Sequence, residues 1–146
     1  MIEYKEFRSE LINEVYSIYE ENQWKSYLGD KEKLSRAFEQ SLYLLGAFEE
    51  GNLVGFVRCI GDSEYILYVQ DLIVKPSYYR QGIGKALMAR VAEKYSSVRQ
   101  FVLITDEDDE ASNAFYRAIE LVKSGFSPLW AGTASRNRPK ANPVRI

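Results

Sequence analysis

The sequence contains no histidine and only one cysteine, Cys59, among its 146 residues. Without histidine the chain cannot build a Ser-His-Asp triad, a Cys-His pair or a zinc site with histidine ligands. A single cysteine excludes an intrachain disulfide and a cysteine-rich metal site. The sequence therefore predicts that no metal is bound and that Cys59 is a packed, reduced thiol, which is typical of a cytoplasmic protein.

The chain also lacks an excess of basic over acidic residues and any long run of apolar residues. The 19 lysine and arginine residues nearly balance 21 aspartate and glutamate residues, which gives a net charge of −2. This balance argues against a nucleic-acid partner, because such proteins usually carry a basic excess. No apolar run approaches the ~18 residues of a membrane span, and residues 1–10 lack the apolar core of a signal peptide. We therefore expect a cytoplasmic protein without a membrane partner.

Hydrophobic residues make up 46% of the chain, enough for one domain with a buried core. Their periodicity predicts the order β-α-α-β-β-β-α-β-α. Strands are predicted over residues 2–7, 43–48, 53–60, 64–74 and 101–105. Helices are predicted over residues 9–22, 82–95 and 111–122, and a further helix is predicted to begin after a cap at Asp30. Because a helix connects the last two strands, that pair should be parallel. We expect a single domain over residues 1–126 and an atypical, irregular segment over residues 127–146.

The most informative stretch is residues 68–88, YVQDLIVKPSYYRQGIGKALM. A strand leads into a proline-containing loop, and Gly82 and Gly84 then open a helix. Glycine lets a ligand approach the backbone, and the first N–H groups of a helix carry partial positive charge. The stretch therefore predicts a pyrophosphate site, with Arg80, Lys85 and Lys75 adding positive charge. The predicted binding amides belong to Gln81, Gly82, Ile83, Gly84, Lys85 and Ala86.

Two other phosphate motifs do not fit this stretch. A P-loop requires glycine where Tyr79 stands, and serine or threonine where Ala86 stands. A Rossmann fingerprint requires a third glycine where Leu87 stands. The remaining alternative is a glycine-rich helix start that binds no ligand.

The stretch resembles the acetyl-CoA-binding motif of the GNAT N-acetyltransferase superfamily. Leu72, Ile73 and Val74 match the apolar strand end of that motif, and Gly82 and Gly84 match its glycines. The resemblance implies an α/β (α+β) fold, with a mixed, mostly antiparallel sheet and a central splayed pair of parallel strands flanked by helices. It also implies acetyl-CoA as the acetyl donor, with its pantetheine arm between the splayed strands.

The resemblance extends over residues 2–126 and departs from the motif at Tyr79, where relatives carry arginine or glutamine. It implies direct transfer, in a ternary complex, to a primary amine of a small molecule or a protein. Phe115 and Tyr116 match the Phe/Leu-Tyr pair that enzymes of this superfamily carry on the last helix. Tyr116 is the implied general acid, since a phenol is protonated at neutral pH and can protonate the leaving thiolate. The alternative is that Tyr116 only packs the helix.

Asp71 is the candidate general base. Strand alternation places it on one face with Leu67, Val69 and Ile73, and a carboxylate in an apolar row needs a partner or a function. Burial would make it a better base. The alternative is a β-bulge that turns Asp71 toward loop amides. A backbone N–H near Leu72 or Ile73 is expected to polarise the thioester carbonyl.

The resemblance implies that Trp24 and Tyr27 line the acceptor pocket, where aromatic rings suit an amine. The alternative is that both side chains only pack in the hydrophobic core. The acidic run at residues 106–110 is interpreted as a solvated helix start or as an attraction for a cationic amine. The closing strand of the fold is either degenerate or supplied by a partner subunit, which would make a homodimer.

Two other functions remain as alternatives to the enzyme. One is a CoA-binding sensor or interaction module without turnover, which would also need the predicted pyrophosphate site at residues 81–86, here called the phosphate cradle. The other is an interaction domain that uses Trp24 and the basic tail and does not bind acetyl-CoA.

Overall fold

The structure, a computed structural model, describes residues 1–103, Ala114 and Leu129–Trp130. These residues form a six-stranded sheet whose strands follow the order of the chain. The strands are β1 (Ile2–Glu6), β2 (Tyr43–Glu49), β3 (Asn52–Gly61), β4 (Ile66–Val74), β5 (Gln100–Leu103) and β6 (Leu129–Trp130). The helices are α1 (Ile12–Glu21), α2 (Lys31–Glu39) and α3 (Ile83–Lys94).

The sheet is antiparallel from β1 to β4 and becomes parallel at β4 and β5. This mixed arrangement confirms the predicted fold class, including the parallel pair joined by a helix. The strand bounds differ from the predicted ones by one or two residues at most ends. The predicted helix over residues 111–122 lies outside the described residues except for Ala114, which is helical and exposed.

Two residues of the segment expected to be irregular form a strand. This strand, β6, pairs parallel to β5, with Val102 opposite Leu129 and Leu103 opposite Trp130. The rest of residues 127–146 lies outside the described residues.

Helices cover both faces of the sheet. Asp30 caps α2 as predicted, because its Oδ1 accepts a hydrogen bond of 3.0 Å from the Lys33 backbone N–H. The core beneath α1 and α2 is rich in aromatic rings, and it contains Phe7, Tyr19, Phe38, Phe48 and Phe56. The core beneath α3 is mostly aliphatic, and its members include Leu45, Val57, Leu72, Leu87 and Val91.

Cys59 lies in the core beneath α3 and is fully buried. Burial raises the pKa of its thiol, which makes it unreactive. This position agrees with the predicted packing role. Over the described part of the chain, no helix has the length and apolar character needed to cross a bilayer.

Candidate active site

A β-bulge at Gln70 divides β4 into two halves. Arg58 of β3 pairs with Asp71, whereas the next residue, Cys59, pairs with Val69, so Gln70 is the extra residue. The extra residue reverses the alternation of side chains along β4. The bulge also directly follows the four residues of β4, 66–69, that pair with β5.

The reversal corrects the predicted environment of Asp71. Leu67 and Val69 pack in the core beneath α3, whereas Ile73 packs in the core beneath α1 and α2. Asp71 faces α1, where it accepts a hydrogen bond from Tyr19. The prediction that Asp71 shares a face with Leu67 and Val69 was therefore wrong, because strict alternation holds only in a strand without a bulge.

Asp71 forms a buried ion pair with Arg58 on the neighbouring strand. The Arg58 Nε lies 2.7 Å from the Asp71 Oδ2, and the two side chains are 9% and 0% exposed. Burial would lower the pKa of Arg58, but the adjacent Asp71 carboxylate outweighs this effect and raises the pKa. The guanidinium therefore stays charged.

Two tyrosine hydroxyls donate to the same carboxylate. Tyr19 donates to Oδ2 at 3.0 Å, and Tyr27 donates to Oδ1 at 2.7 Å. Burial, reinforced by the charge of Asp71, raises the pKa of both phenols, and that of Tyr27 to about 12. Both hydroxyls therefore remain protonated at neutral pH. The β-bulge that the sequence left open as an alternative is therefore present. It turns Asp71 toward the side chains of Arg58, Tyr19 and Tyr27 rather than toward the loop amides that were expected.

Trp24 and Tyr27, the predicted acceptor-pocket residues, stack against Tyr19. The Tyr27 and Tyr19 ring centroids are 4.3 Å apart, and those of Trp24 and Tyr19 are 5.7 Å apart. Trp24 is only 5% exposed, whereas Tyr27 is half-buried. Trp24 therefore supports the stack from within the core, and Tyr27 carries the network from Asp71 toward the surface.

Gln70 connects the bulge to the same phenol. Its Nε2 donates to the Tyr27 hydroxyl oxygen at 3.2 Å. Tyr27 therefore bonds both to the bulged residue and to Asp71. The bulge, the carboxylate and the aromatic stack form one continuous network.

The predicted phosphate cradle begins where β4 ends. The buried residues Leu72, Ile73 and Val74 lead into a short 3-10 turn, Pro76–Tyr78. Arg80 and Gly82 then adopt left-handed backbone angles, with φ of 62° and 80°. Gly82 is the N-cap residue of the 12-residue helix α3.

The entrance of α3 is open to a ligand. Gly82 is exposed, and among the described residues other than its two chain neighbours no heavy atom lies within 4 Å of the position that a Cβ would occupy there. Gln81 and the cationic side chains of Arg80 and Lys85 are exposed as well. Because exposed N–H groups at a helix start bind anions, this geometry fits the pyrophosphate of a coenzyme A thioester.

Some predicted residues lie outside the described part of the chain. They are Tyr116, the candidate acid, and the acidic run over residues 106–110. Sequence reasoning missed Arg58 and Tyr19. An arginine within the apolar run of residues 53–60 was the available signal, because a buried charge requires an opposite charge nearby.

Comparisons with known proteins agree on one family. A family model described as the acetyltransferase (GNAT) family matches residues 8–119. The structure of a GNAT family acetyltransferase from Streptococcus pneumoniae TIGR4 is 30% identical, with a TM-score of 0.68, and the match covers 95% of this chain and 100% of that one. The PaiA N-acetyltransferase of Thermoplasma acidophilum, solved with coenzyme A, shares the fold at 21% identity and a TM-score of 0.64, over 80% of this chain and 87% of that one.

Among curated proteins, the chain is similar to an uncharacterized N-acetyltransferase, ycf52, from Gracilaria tenuistipitata var. liui. The two are 29% identical over an 80-residue alignment, which covers 51% of this chain and 44% of that protein. The match therefore spans slightly less than half the length of the curated relative.

Proposed function

The chain belongs to the acetyltransferase (GNAT) family, and on that premise we propose that it transfers the acetyl group of acetyl-CoA to a primary amine. The acceptor is a small molecule or a protein, and the amine attacks the thioester directly in a ternary complex. One observation carries the proposal: a single strand–loop–helix segment holds both the buried carboxylate of Asp71 and the open helix entrance at Gly82.

In this proposal the donor is held by backbone groups. The amides of residues 81–85 bind the pyrophosphate, with Arg80 and Lys85 as cationic neighbours. The Ala86 amide, which the sequence also predicted to bind, instead donates to the Gly82 backbone oxygen at 3.0 Å. Acetyl-CoA supplies the activated acetyl group. A backbone N–H at Leu72 or Ile73, just past the bulge, polarises the carbonyl. No metal takes part.

Asp71 acts on the acceptor through Tyr27. The Asp71 side chain is 0% exposed, so an amine in the pocket contacts the half-buried Tyr27 rather than the carboxylate. As the amine attacks, its proton passes to the Tyr27 oxygen while the Tyr27 proton passes to Asp71. Since the Asp71 side chain is 0% exposed, the proton leaves by the reverse path: Asp71 returns a proton to the Tyr27 oxygen, and the Tyr27 hydroxyl releases one to water in the pocket.

Replacing Tyr27 by phenylalanine tests this role. The ring and its stacking on Tyr19 remain, whereas the hydroxyl bonds to Asp71 and Gln70 are lost. Since a hydrogen bond to a charged group contributes about 1.5–3 kcal/mol, we expect kcat/KM for the amine to fall roughly 10- to 100-fold. The dissociation constant of acetyl-CoA should stay within about twofold of the wild-type value.

Tyr19→Phe is the matched control for Tyr27→Phe. It removes a hydroxyl bond to the same carboxylate, but from a ring that is fully buried and cannot touch the acceptor. We expect it to reduce stability more than it reduces turnover. Equal losses of kcat/KM in the two variants would show that Tyr27 has no special contact with the acceptor.

The donor site is tested by ligand-induced stabilisation. A saturating ligand at 100 times its Kd should raise the free energy of unfolding by about 2.7 kcal/mol, measured as a thermal shift with acetyl-CoA. Gly82→Val should abolish this shift, because the new side chain fills the open helix entrance. Gly51→Val is the matched control, since Gly51 has nearly the same φ, 82°, and equal free space but lies in the β2–β3 turn, outside the start of α3.

Turnover is tested with a panel of amines, by the release of free CoA thiol. We expect release above background with at least one amine, and loss of that release in Gly82→Val. A thermal shift without thiol release from any amine would instead favour the CoA-binding sensor. No thermal shift at all would contradict both proposals and favour an interaction domain.

A further inference from the structure

A side-chain hydrogen bond joins the predicted cradle loop to the end of α1. The Tyr79 hydroxyl donates to the Asn22 Oδ1. The Asn22 Nδ2 in turn donates to the backbone oxygens of Ile18 in α1, at 2.9 Å, and of Val74 at the end of β4, at 3.1 Å. We call these contacts the Tyr79–Asn22 latch.

The chemistry of the partners fixes the direction of each bond in the latch. Carbonyl oxygens only accept hydrogen bonds, so the Asn22 NH2 group must face Ile18 and Val74. The Asn22 Oδ1 is therefore turned to Tyr79, and the phenol is the donor. The Tyr79 hydroxyl is therefore used within the protein.

The latch holds the residue that precedes the left-handed segment of the loop. Arg80 follows Tyr79 directly and has a φ of 62°, which is unfavourable for a residue with a Cβ, and Gly82 follows with a φ of 80°. Such a backbone persists only where surrounding contacts fix it. The latch is such a contact, and it lies just before the amides proposed to bind pyrophosphate.

The other end of the latch lies beside the aromatic stack. Asn22 is the C-cap residue of α1, and two residues later the Trp24 N–H donates to the Tyr19 backbone oxygen at 3.0 Å. One asparagine thus links the cradle loop, the end of β4 and the segment that carries Trp24.

We propose that Tyr79 is a positioning residue for acetyl-CoA. Through Asn22, its hydroxyl fixes the loop so that the amides at the start of α3 converge on the pyrophosphate, and it does not contact the ligand itself. The proposal rests on the function proposed above. It predicts that loss of the hydroxyl weakens donor binding and leaves the chemical step intact.

The test is a calorimetric titration of the full chain with CoA. We expect Tyr79→Phe to raise the Kd about five- to tenfold, equivalent to roughly 1.0–1.4 kcal/mol. Asn22→Ala should have a similar effect, and the double variant should bind about as weakly as either single variant, because all three lack the hydrogen bond between Tyr79 and Asn22. In turnover assays Tyr79→Phe should raise KM for acetyl-CoA and leave kcat within about twofold.

Tyr78→Phe is the control. The Tyr78 hydroxyl also donates to a side chain, the Glu49 Oε2 at 2.6 Å, from the neighbouring position of the same loop. A general loosening of the loop would affect both variants, whereas the latch predicts a change in Kd of less than twofold for Tyr78→Phe. If the wild type binds CoA and Tyr79→Phe binds it equally well, or no worse than Tyr78→Phe, the latch proposal is wrong and the proposed function stands. If the wild type does not bind CoA, both are overturned.

Discussion

Replacing Arg58 by methionine should lower the free energy of unfolding by about 3–5 kcal/mol at pH 7. The substitution keeps an apolar chain of similar length but leaves the Asp71 carboxylate, 1% exposed, without its cationic partner. A buried charge without a partner costs far more than the loss of a surface ion pair. Urea denaturation of the variant and the wild type measures the difference.

Two further variants show whether the loss arises from the buried charge. Arg36→Met makes the same substitution at an exposed position of α2 and should change stability by less than about 0.5 kcal/mol. Combining Arg58→Met with Asp71→Asn should recover at least half of the lost stability, because the amide is neutral. Tyr19 and Tyr27 donate to different carboxylate oxygens, so the amide oxygen accepts from one phenol and the amide NH2 group donates to the oxygen of the other. A loss below about 1 kcal/mol in Arg58→Met alone would contradict a buried ion pair at this site.

The order of helices and strands was predictable because local signals determine it. Alternating apolar residues indicate strands, a stripe at helical spacing indicates helices, and Asp30 has the side chain of a helix cap. The parallel pairing of β4 and β5 follows from the helix that connects them. These features depend on short windows of sequence, and the structure confirms them for the elements from β1 to β5.

The face on which Asp71 lies was not predictable in the same way. A bulge is one extra residue in a strand, and the polar pair Gln70 and Asp71 within β4 does not by itself indicate that a residue is extra. Its presence follows from the register between β3 and β4, where Arg58 is opposite Asp71 and Cys59 is opposite Val69. One residue is enough to reverse every prediction based on alternation beyond it.

The partners of Asp71 were partly accessible to sequence reasoning. Arg58 and Asp71 are opposite charges in the apolar segments of two consecutive predicted strands, and that coincidence indicates an ion pair between them. Tyr19 and Tyr27 are different, because they reach Asp71 only through the packing of α1 and the following segment onto the sheet. Contacts between residues 44 and 52 positions apart depend on tertiary structure, which no local pattern encodes.

Replacing Tyr116 by phenylalanine should reduce kcat about 100-fold while the Kd of acetyl-CoA remains unchanged. We propose Tyr116 as the acid that protonates the departing CoA thiolate, and general acids typically contribute 10²- to 10⁴-fold to the rate. The lower end is expected because a thiol has a pKa near 8.5 and its thiolate leaves readily without full protonation. Steady-state kinetics with saturating amine measures the effect. Tyr95→Phe is the control, because this core tyrosine, 8% exposed at the end of α3, should affect stability but not kcat. A Tyr116→Phe variant that retains wild-type kcat would show that another group, or water, protonates the thiolate.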